Sequence, residues 1–428
     1  MNDRGHSALC APRRRFAFSG SRFSGTAFSG IVLAGAILAG CDAGIHVKGG
    51  ASAPAVPPIQ SGVFKDSNVA GLDFVSGSER GVTGANGEYS CETAEPVRFS
   101  IGSVVLGETE CTTLAHPPAL TPSGSFTSPV AVNIARLLLM LDDDQDPENG
   151  ILIPESLRDV APSWSQIDFA AADFPAELAQ IISDIFVIEG RLVDAPPTAA
   201  EAFAHMEPVL VCAYSGVFTG SLPARDIGNV GHFAITVYRD PLSGEDRFFF
   251  QAFRRGPYLL FINLGGSVEF ATLPALDTGE RDPLPSVLGR FSTPDRITGT
   301  WDNPAQIGTI EANLLNSGGS LAAKRIGPSS GQYRFVGSIE GSSTFSALTL
   351  SLDGDAVSGE VFGITSGNVL AVAGTRSPVD DSIELTLEGA SSPVTAQLLR
   401  DGRGRPSIMT GGWPDSDGSF TAYGCRLN

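Results

Sequence analysis

Two hydrophobic periods divide the chain. Over residues 61–124, apolar and polar positions alternate in short runs between Gly and Ser: Gly62-Val63-Phe64, Gly71-Leu72-Asp73-Phe74, Gly87-Glu88-Tyr89 and Val97-Arg98-Phe99-Ser100-Ile101. A period of two puts successive side chains on opposite faces, so these runs predict short, half-buried strands. Asn86-Gly87 tolerates positive φ and predicts a tight turn between two of them. Over 125–210 the period lengthens. Ser128-Pro129 is a helix start, and Ile134, Leu137, Leu138 and Leu141 follow at i, i+3, i+4 and i+7 on one face. Further helical patterns cover 174–188 and 198–210, separated by Pro196-Pro197.

From residue 211 the strand signature returns, and the chain repeats itself. Phe218-Thr219-Gly220-Ser221-Leu222 matches Phe335-Val336-Gly337-Ser338-Ile339, and Ile297-Thr298-Gly299-Thr300-Trp301 matches Met409-Thr410-Gly411-Gly412-Trp413. The offsets, 117 and 112, are nearly equal, which points to a duplication. Strand-length runs with a turn every ten residues or so predict antiparallel meanders closing as a barrel or a sandwich. The fold class expected is therefore mainly β with a helical insert: an N-terminal β-sandwich (61–124), a helical segment (125–210), and a C-terminal barrel or sandwich of two repeats (211–318 and 319–428). Phe248-Phe249-Phe250 and Tyr258-Leu259-Leu260-Phe261 break the alternation. They suit a strand buried on both faces or one facing a ligand cavity.

The N-terminus carries a different signal. Arg13-Arg14-Arg15 precedes an apolar run, 31–39, too short to span a bilayer, and the run ends in Leu38-Ala39-Gly40-Cys41. This resembles the lipobox of bacterial lipoproteins. The resemblance implies that residues 1–40 are a cleaved signal peptide, exported by the general or the twin-arginine route, and that Cys41 becomes a lipid-bearing first residue anchoring the protein to a membrane of the cell envelope. Asp42 resembles the inner-membrane retention signal of enterobacterial lipoproteins, a rule that differs between bacterial groups. The Pro- and Ala-rich stretch 41–60 then reads as a semi-extended tether.

Removing the signal takes away five of the 28 basic and one of the 47 acidic residues, and moves the formal net charge from −19 to −23. A chain this acidic repels phosphate backbones, which argues against a nucleic-acid partner. Of the six cysteines, Cys10 leaves with the signal and Cys41 takes the lipid. Cys91, Cys111, Cys212 and Cys425 remain, an even number for an oxidising compartment. Among the three possible connectivities, the favoured pairs are Cys91–Cys111 within one small domain and Cys212–Cys425 bracketing the C-terminal half; isolated buried thiols are the alternative.

Candidate chemistry is sparse. Asp142-Asp143-Asp144-Gln145-Asp146 follows the first helix, and Asp142, Asp144 and Asp146 have the 1, 3, 5 spacing of an EF-hand-like calcium loop, with Asn149 and Glu155 as further candidate ligands. Pro147 stands where such loops have glycine, and Glu155 comes two residues late, so a solvated acidic turn is the competing reading. Gly327-Pro328-Ser329-Ser330-Gly331 matches a nucleophile elbow formally, but strand-like Tyr333-Arg334-Phe335-Val336 follows it and no histidine comes later. It reads as a linker between repeats. The five histidines are scattered, and there is no HExxH, CxxC or phosphate-binding loop.

The pattern Gly62-Val63-Phe64-Lys65-Asp66-Ser67-Asn68 through Gly87-Glu88-Tyr89 to Val97–Gly107 resembles the carboxypeptidase-regulatory-like, or prealbumin-like, β-sandwich. That resemblance implies a structural or adhesive module without catalytic residues. The expected function is a lipid-anchored, non-catalytic envelope protein with an unidentified envelope partner. The alternatives are a β-barrel carrier of a small apolar ligand and a hydrolytic enzyme with an unrecognised site.

Overall fold

The computed structural model describes residues 57–222, 231–254, 260–269, 275–277, 286–303, 317–328, 330–340, 346–412 and 418–427. Cys41 and the tether up to residue 56 lie outside them. The first strands are β1 (Ile59–Phe64), β2 (Val69–Ala70), β3 (Asp73–Ser76), β4 (Glu79–Val82), β5 (Glu88–Glu92), β6 (Val97–Ile101), β7 (Val104–Thr109) and β8 (Leu114–Ala115). Seven of them form a three-stranded sheet, β5-β1-β8, and a four-stranded sheet, β4-β3-β6-β7, while β2 pairs in parallel with Ile151-Leu152 further along the chain. The alternation is realised directly: in β6 Val97, Phe99 and Ile101 are buried and Arg98 is exposed. Phe64, Phe99 and Tyr89 meet edge to face in the core, with centroids 4.8 and 5.0 Å apart. Cys91 is bonded to Cys111.

Next come α1 (Pro129–Leu141), β9 (Ile151–Leu152), α2 (Glu155–Val160), α3 (Phe174–Glu177), α4 (Ala179–Glu189) and α5 (Ala199–Tyr214). A capping box starts α5. The Glu201 N–H donates to Thr198 Oγ1 (3.2 Å), and the Thr198 N–H donates back to the Glu201 carboxylate (2.8 Å). The helix continues past its expected end at Leu210, with Pro208 inside it, because Leu210, Val211, Cys212 and Tyr214 are all buried.

The cores do not divide where the sequence period does. Two sheets of three and four short strands bury too little by themselves, so α1 covers them. Its Ile134, Leu137, Leu138 and Leu141 join Phe64 and Phe99 in one cluster with Trp164, Phe174 and Ile185. The opposite side of α1 (Val132, Ala135) and the apolar face of α5 pack instead with the strands that follow. The expected boundaries at 124/125 and 210/211 therefore run through shared cores.

The duplicated region forms two closed antiparallel barrels, so the barrel alternative is the one realised. The first comprises β10 (Gly216–Leu222), β11 (Gly231–Arg239), β12 (Asp246–Arg254), β13 (Leu260–Glu269), β14 (Ala275–Asp277), β15 (Ser286–Thr293), β16 (Arg296–Asn303) and β17 (Ser317–Ile326). The second comprises β18 (Tyr333–Glu340), β19 (Ser346–Asp353), β20 (Ala356–Gly363), β21 (Val369–Arg376), β22 (Ser382–Leu387), β23 (Val394–Arg400), β24 (Pro406–Gly412) and β25 (Ser419–Arg426). Pairing of β10 with β17 closes one, and pairing of β18 with β25 the other. The expected boundary at 318/319 is corrected: it cuts β17, whose last residues close the first barrel. Ser317-Gly318-Gly319-Ser320 has the composition of a loop but is paired along β16.

The repeated motifs fall on the first strands (β10, β18) and the seventh (β16, β24). Their shared glycines have a steric cause. A Cβ on Gly299 would stand 2.0 Å from the Leu288 carbonyl oxygen, and one on Gly337 2.0 Å from that of Thr421. Phe233 lies across Gly220, and Phe420 across Gly411, in directly paired positions.

Inside the second barrel, Phe335, Leu348, Leu350, Val361, Leu385 and Met409 belong to one continuous buried cluster. Between them the strands turn Glu384, Thr386, Thr395 and Gln397 to solvent. Phe248 and Phe250 fill the first barrel, while Phe249 is half-buried on its outside. The two barrels meet through Val217, Ala234, Val336, Ala347, Phe362 and Ile364.

Candidate functional site

The acidic loop uses most of its carboxylates internally. Asp142 is buried at the end of α1, and its Oδ1 accepts from the Leu152 N–H (3.0 Å). Burial, with a smaller push from Asp144, raises its pKa to about 6. Asp144 accepts from the Asp146 N–H (2.9 Å) and from Asn149 Nδ2 (2.7 Å); Asp146 accepts from the Glu148 N–H (3.3 Å). Glu155 opens α2. Among the described residues no group of three or more His, Cys, Asp or Glu is placed to hold a metal.

A second polar cluster lies where the N-terminal unit meets α5. Ser67, buried and at φ +66°, approaches His205 with Oγ 3.2 Å from Nε2, the distance of a catalytic pair. The protons are in the wrong places for catalysis. Ser67 donates to the Pro147 carbonyl (2.7 Å), and His205 Nε2 lies 3.0 Å from the Asp66 carbonyl, which can only accept. Nε2 therefore carries the hydrogen and cannot take one from serine. Burial lowers the His205 pKa, favouring the neutral ring. Asp66 is fully buried, and neither of its carboxylate oxygens has a partner among the described residues; burial raises its pKa well above the usual value. Lys65 bonds the Asn68 side chain and the Leu427 carbonyl, joining the first strand to the end of the last.

The carbonyl end of α5 collects two arginines, one from each barrel, Arg334 buried and Arg325 partly so. Arg325 on β17 donates to the Ala213 carbonyl (2.7 Å) and to that of Pro294, lies over the Phe218 ring at 5.2 Å from its centroid, and has the Asp295 carboxylate 3.9 Å from its Nε. Arg334 on β18 donates to Ser215 (2.9 Å) and Cys212 (3.3 Å). Free carbonyls and the negative end of a helix dipole stabilise cations there, which explains two guanidiniums side by side. The same helix end is cross-linked by Cys212–Cys425.

The last feature is a cleft of about 160 Å³ between the barrels. Tyr238 on β11 and Tyr423 on β25 stack across it, with centroids 4.3 Å apart and planes within 7°. Phe249, Gly337 and the hydroxyl residues Thr236, Ser338, Ser419 and Thr421 complete its walls.

No protein-family model and no curated protein matches the chain. Among solved structures, a porin-like protein from Bacteroides uniformis is similar at 8% identity, over 50% of this chain and 97% of that one, with a TM-score of 0.15.

Sequence reasoning located the acidic loop and the cysteines and missed the cleft. Its signal was present as Thr236-Val237-Tyr238 and Thr421-Ala422-Tyr423, the same Thr-x-Tyr spacing on a strand of each repeat. Arg334 had no such signal, since its partners are backbone carbonyls.

Proposed function

We propose that this chain is a lipid-anchored, non-catalytic protein of the bacterial cell envelope, tethered through a lipid on Cys41 and displaying a double β-barrel to a binding partner. The observation that carries the reading is the polarity of the second barrel. Barrels that span membranes turn an apolar band outward and keep polar interiors. Here the interior is Phe335, Leu348, Leu350 and Met409, and the outside bears Glu384, Thr395 and Gln397. Such a barrel is stable in water, so attachment to a membrane falls to the lipid rather than to the strands. The two disulfides fit an oxidising compartment. The side chains packed inside the second barrel favour a scaffold over a carrier of apolar ligands, and the proton arrangement at Ser67 and His205 favours binding over hydrolysis.

Metabolic labelling with radioactive palmitate tests the anchor. Label is expected on the intact protein and lost in Cys41→Ser; label that persists in the variant overturns the reading.

A further inference from the structure

We propose that the cleft between the barrels is a binding site for a neutral saccharide, taking one sugar ring of a glycan. This rests on the binding reading above and adds a ligand class to it. The two walls carry one pattern. On β11 and on β25 a period of two turns threonine and tyrosine outward and the residue between them inward: Val237 into the first barrel's core and Ala422 into the second's. Placed face to face, the two copies bring Tyr238 onto Tyr423 and leave a recess beside the stacked rings.

The chemistry of that recess is specific. Tyr238, Tyr423 and Phe249 give it an apolar side, and Thr236, Ser338, Ser419 and Thr421 give it hydroxyls. None of these four hydroxyls has a hydrogen-bond partner among the described residues, and Thr236 is only 2% exposed. Among the described residues, no charged side chain lines the cleft. A sugar ring answers each property: its C–H face suits aromatic carbon, and its hydroxyls both donate and accept, as those of Ser and Thr do. The volume, about 160 Å³, suits one ring rather than a ligand of the ~300–1,000 Å³ drug-sized class. For an anionic ligand the nearest described cation is outside the lining: Arg247, paired with Tyr238 across β11 and β12, already carries Glu245 as its counter-ion. An extended peptide would bind best along a free strand edge, and both sheets are closed.

Calorimetric titration of the full-length, oxidised protein with chitotriose and with maltotriose tests this, with trigalacturonic acid as the charged control and a Gly-Ser hexapeptide as the peptide control. One neutral trisaccharide is expected to bind with 1:1 stoichiometry. Thr421→Val, at an exposed position, weakens it about tenfold, the worth of a lost hydrogen bond. Ser338→Trp fills the cleft and abolishes binding. Melting temperatures measured alongside confirm that both variants are folded. No heat from either neutral trisaccharide up to about 10 mM, a free energy too weak for a site, overturns the proposal. So does binding that Thr421→Val leaves unchanged, or equal binding of the acidic trisaccharide or the peptide. Palmitate labelling at Cys41 is independent of these titrations, so failure of the saccharide site and failure of the anchor are distinguishable.

Discussion

Arg334, on the first strand of the second barrel, donates to the carbonyl of Ser215, the residue that ends α5, at 2.9 Å. One guanidinium thus joins a helix shared with the first barrel to the start of the second. Arg334→Ala leaves the Ser215 and Cys212 carbonyls buried without that donor and opens a cavity. It is expected to destabilise the fold by about 2–4 kcal/mol in urea unfolding. A change under about 0.5 kcal/mol would show that the bonds are dispensable.

The disulfides should differ in worth. Cys212–Cys425 closes 213 residues and Cys91–Cys111 only 20. Cross-links restrict the unfolded chain more as the loop grows, so removing the long one by Cys212→Ser/Cys425→Ser costs about 5 kcal/mol, against about 3 kcal/mol for the short one. Equal losses in chemical denaturation would contradict the loop-entropy account.

Glycines in the seventh strands separate sterically. Gly411→Ala puts a methyl 2.5 Å from the Phe420 ring and 2.7 Å from the Thr395 carbonyl, whereas a Cβ on Gly412 meets nothing within 4 Å. The first variant is expected to lose about 1–3 kcal/mol and the second to be neutral or slightly stabilised. Thermal melts of the pair decide it, and matching midpoints would refute the packing argument.

Two buried groups push the pH dependence in opposite directions. Burial lowers the pKa of His116 from 6.5 to about 4, while its Nδ1 accepts from the Ala119 N–H at 3.1 Å. Between these values the unfolded chain binds more protons, so this stability is full above pH 6.5 and is lost as pH falls towards 4. The shift is worth about 3 kcal/mol at most. Asp142 is raised from 3.8 to about 6, so the native state binds more protons between these values and its penalty eases as pH falls. Asp142→Asn is therefore expected to stabilise the protein at pH 7 and to lose that advantage below about pH 4. Stability curves from pH 3 to 8 for wild type, Asp142→Asn and His116→Asn check both signs; an unchanged acid limb in His116→Asn would remove the histidine from the account.

Local order was legible wherever it depends on period or covalent chemistry. The stripe of α1, the alternation of β6 and the cysteine count all carry through to the structure. The motif glycines marked equivalent strands because a neighbouring strand's backbone or ring excludes a side chain there; Gly412, with open space around it, stands where the other repeat has Thr300. What stayed hidden was set by long-range pairing. Ser317-Gly318-Gly319-Ser320 has no strand propensity of its own and is held by β16. The cleft needs two outward faces from strands nearly 190 residues apart, β11 and β25, to meet. The partial burial of Phe249, between the buried Phe248 and Phe250, was hidden for the same reason, since Phe249 lines that cleft.

Closure of both sheets has a consequence for crowding. An open sheet ends in a row of unpaired N–H and C=O groups, and copies concentrated on a surface can zip together along it. Each of these barrels joins its first strand to its last, so the strand edges that remain belong to the short N-terminal sheets, at β4, β5, β7 and β8. Barrel can then meet barrel only through side chains, and contacts of that kind are selective and easily reversed.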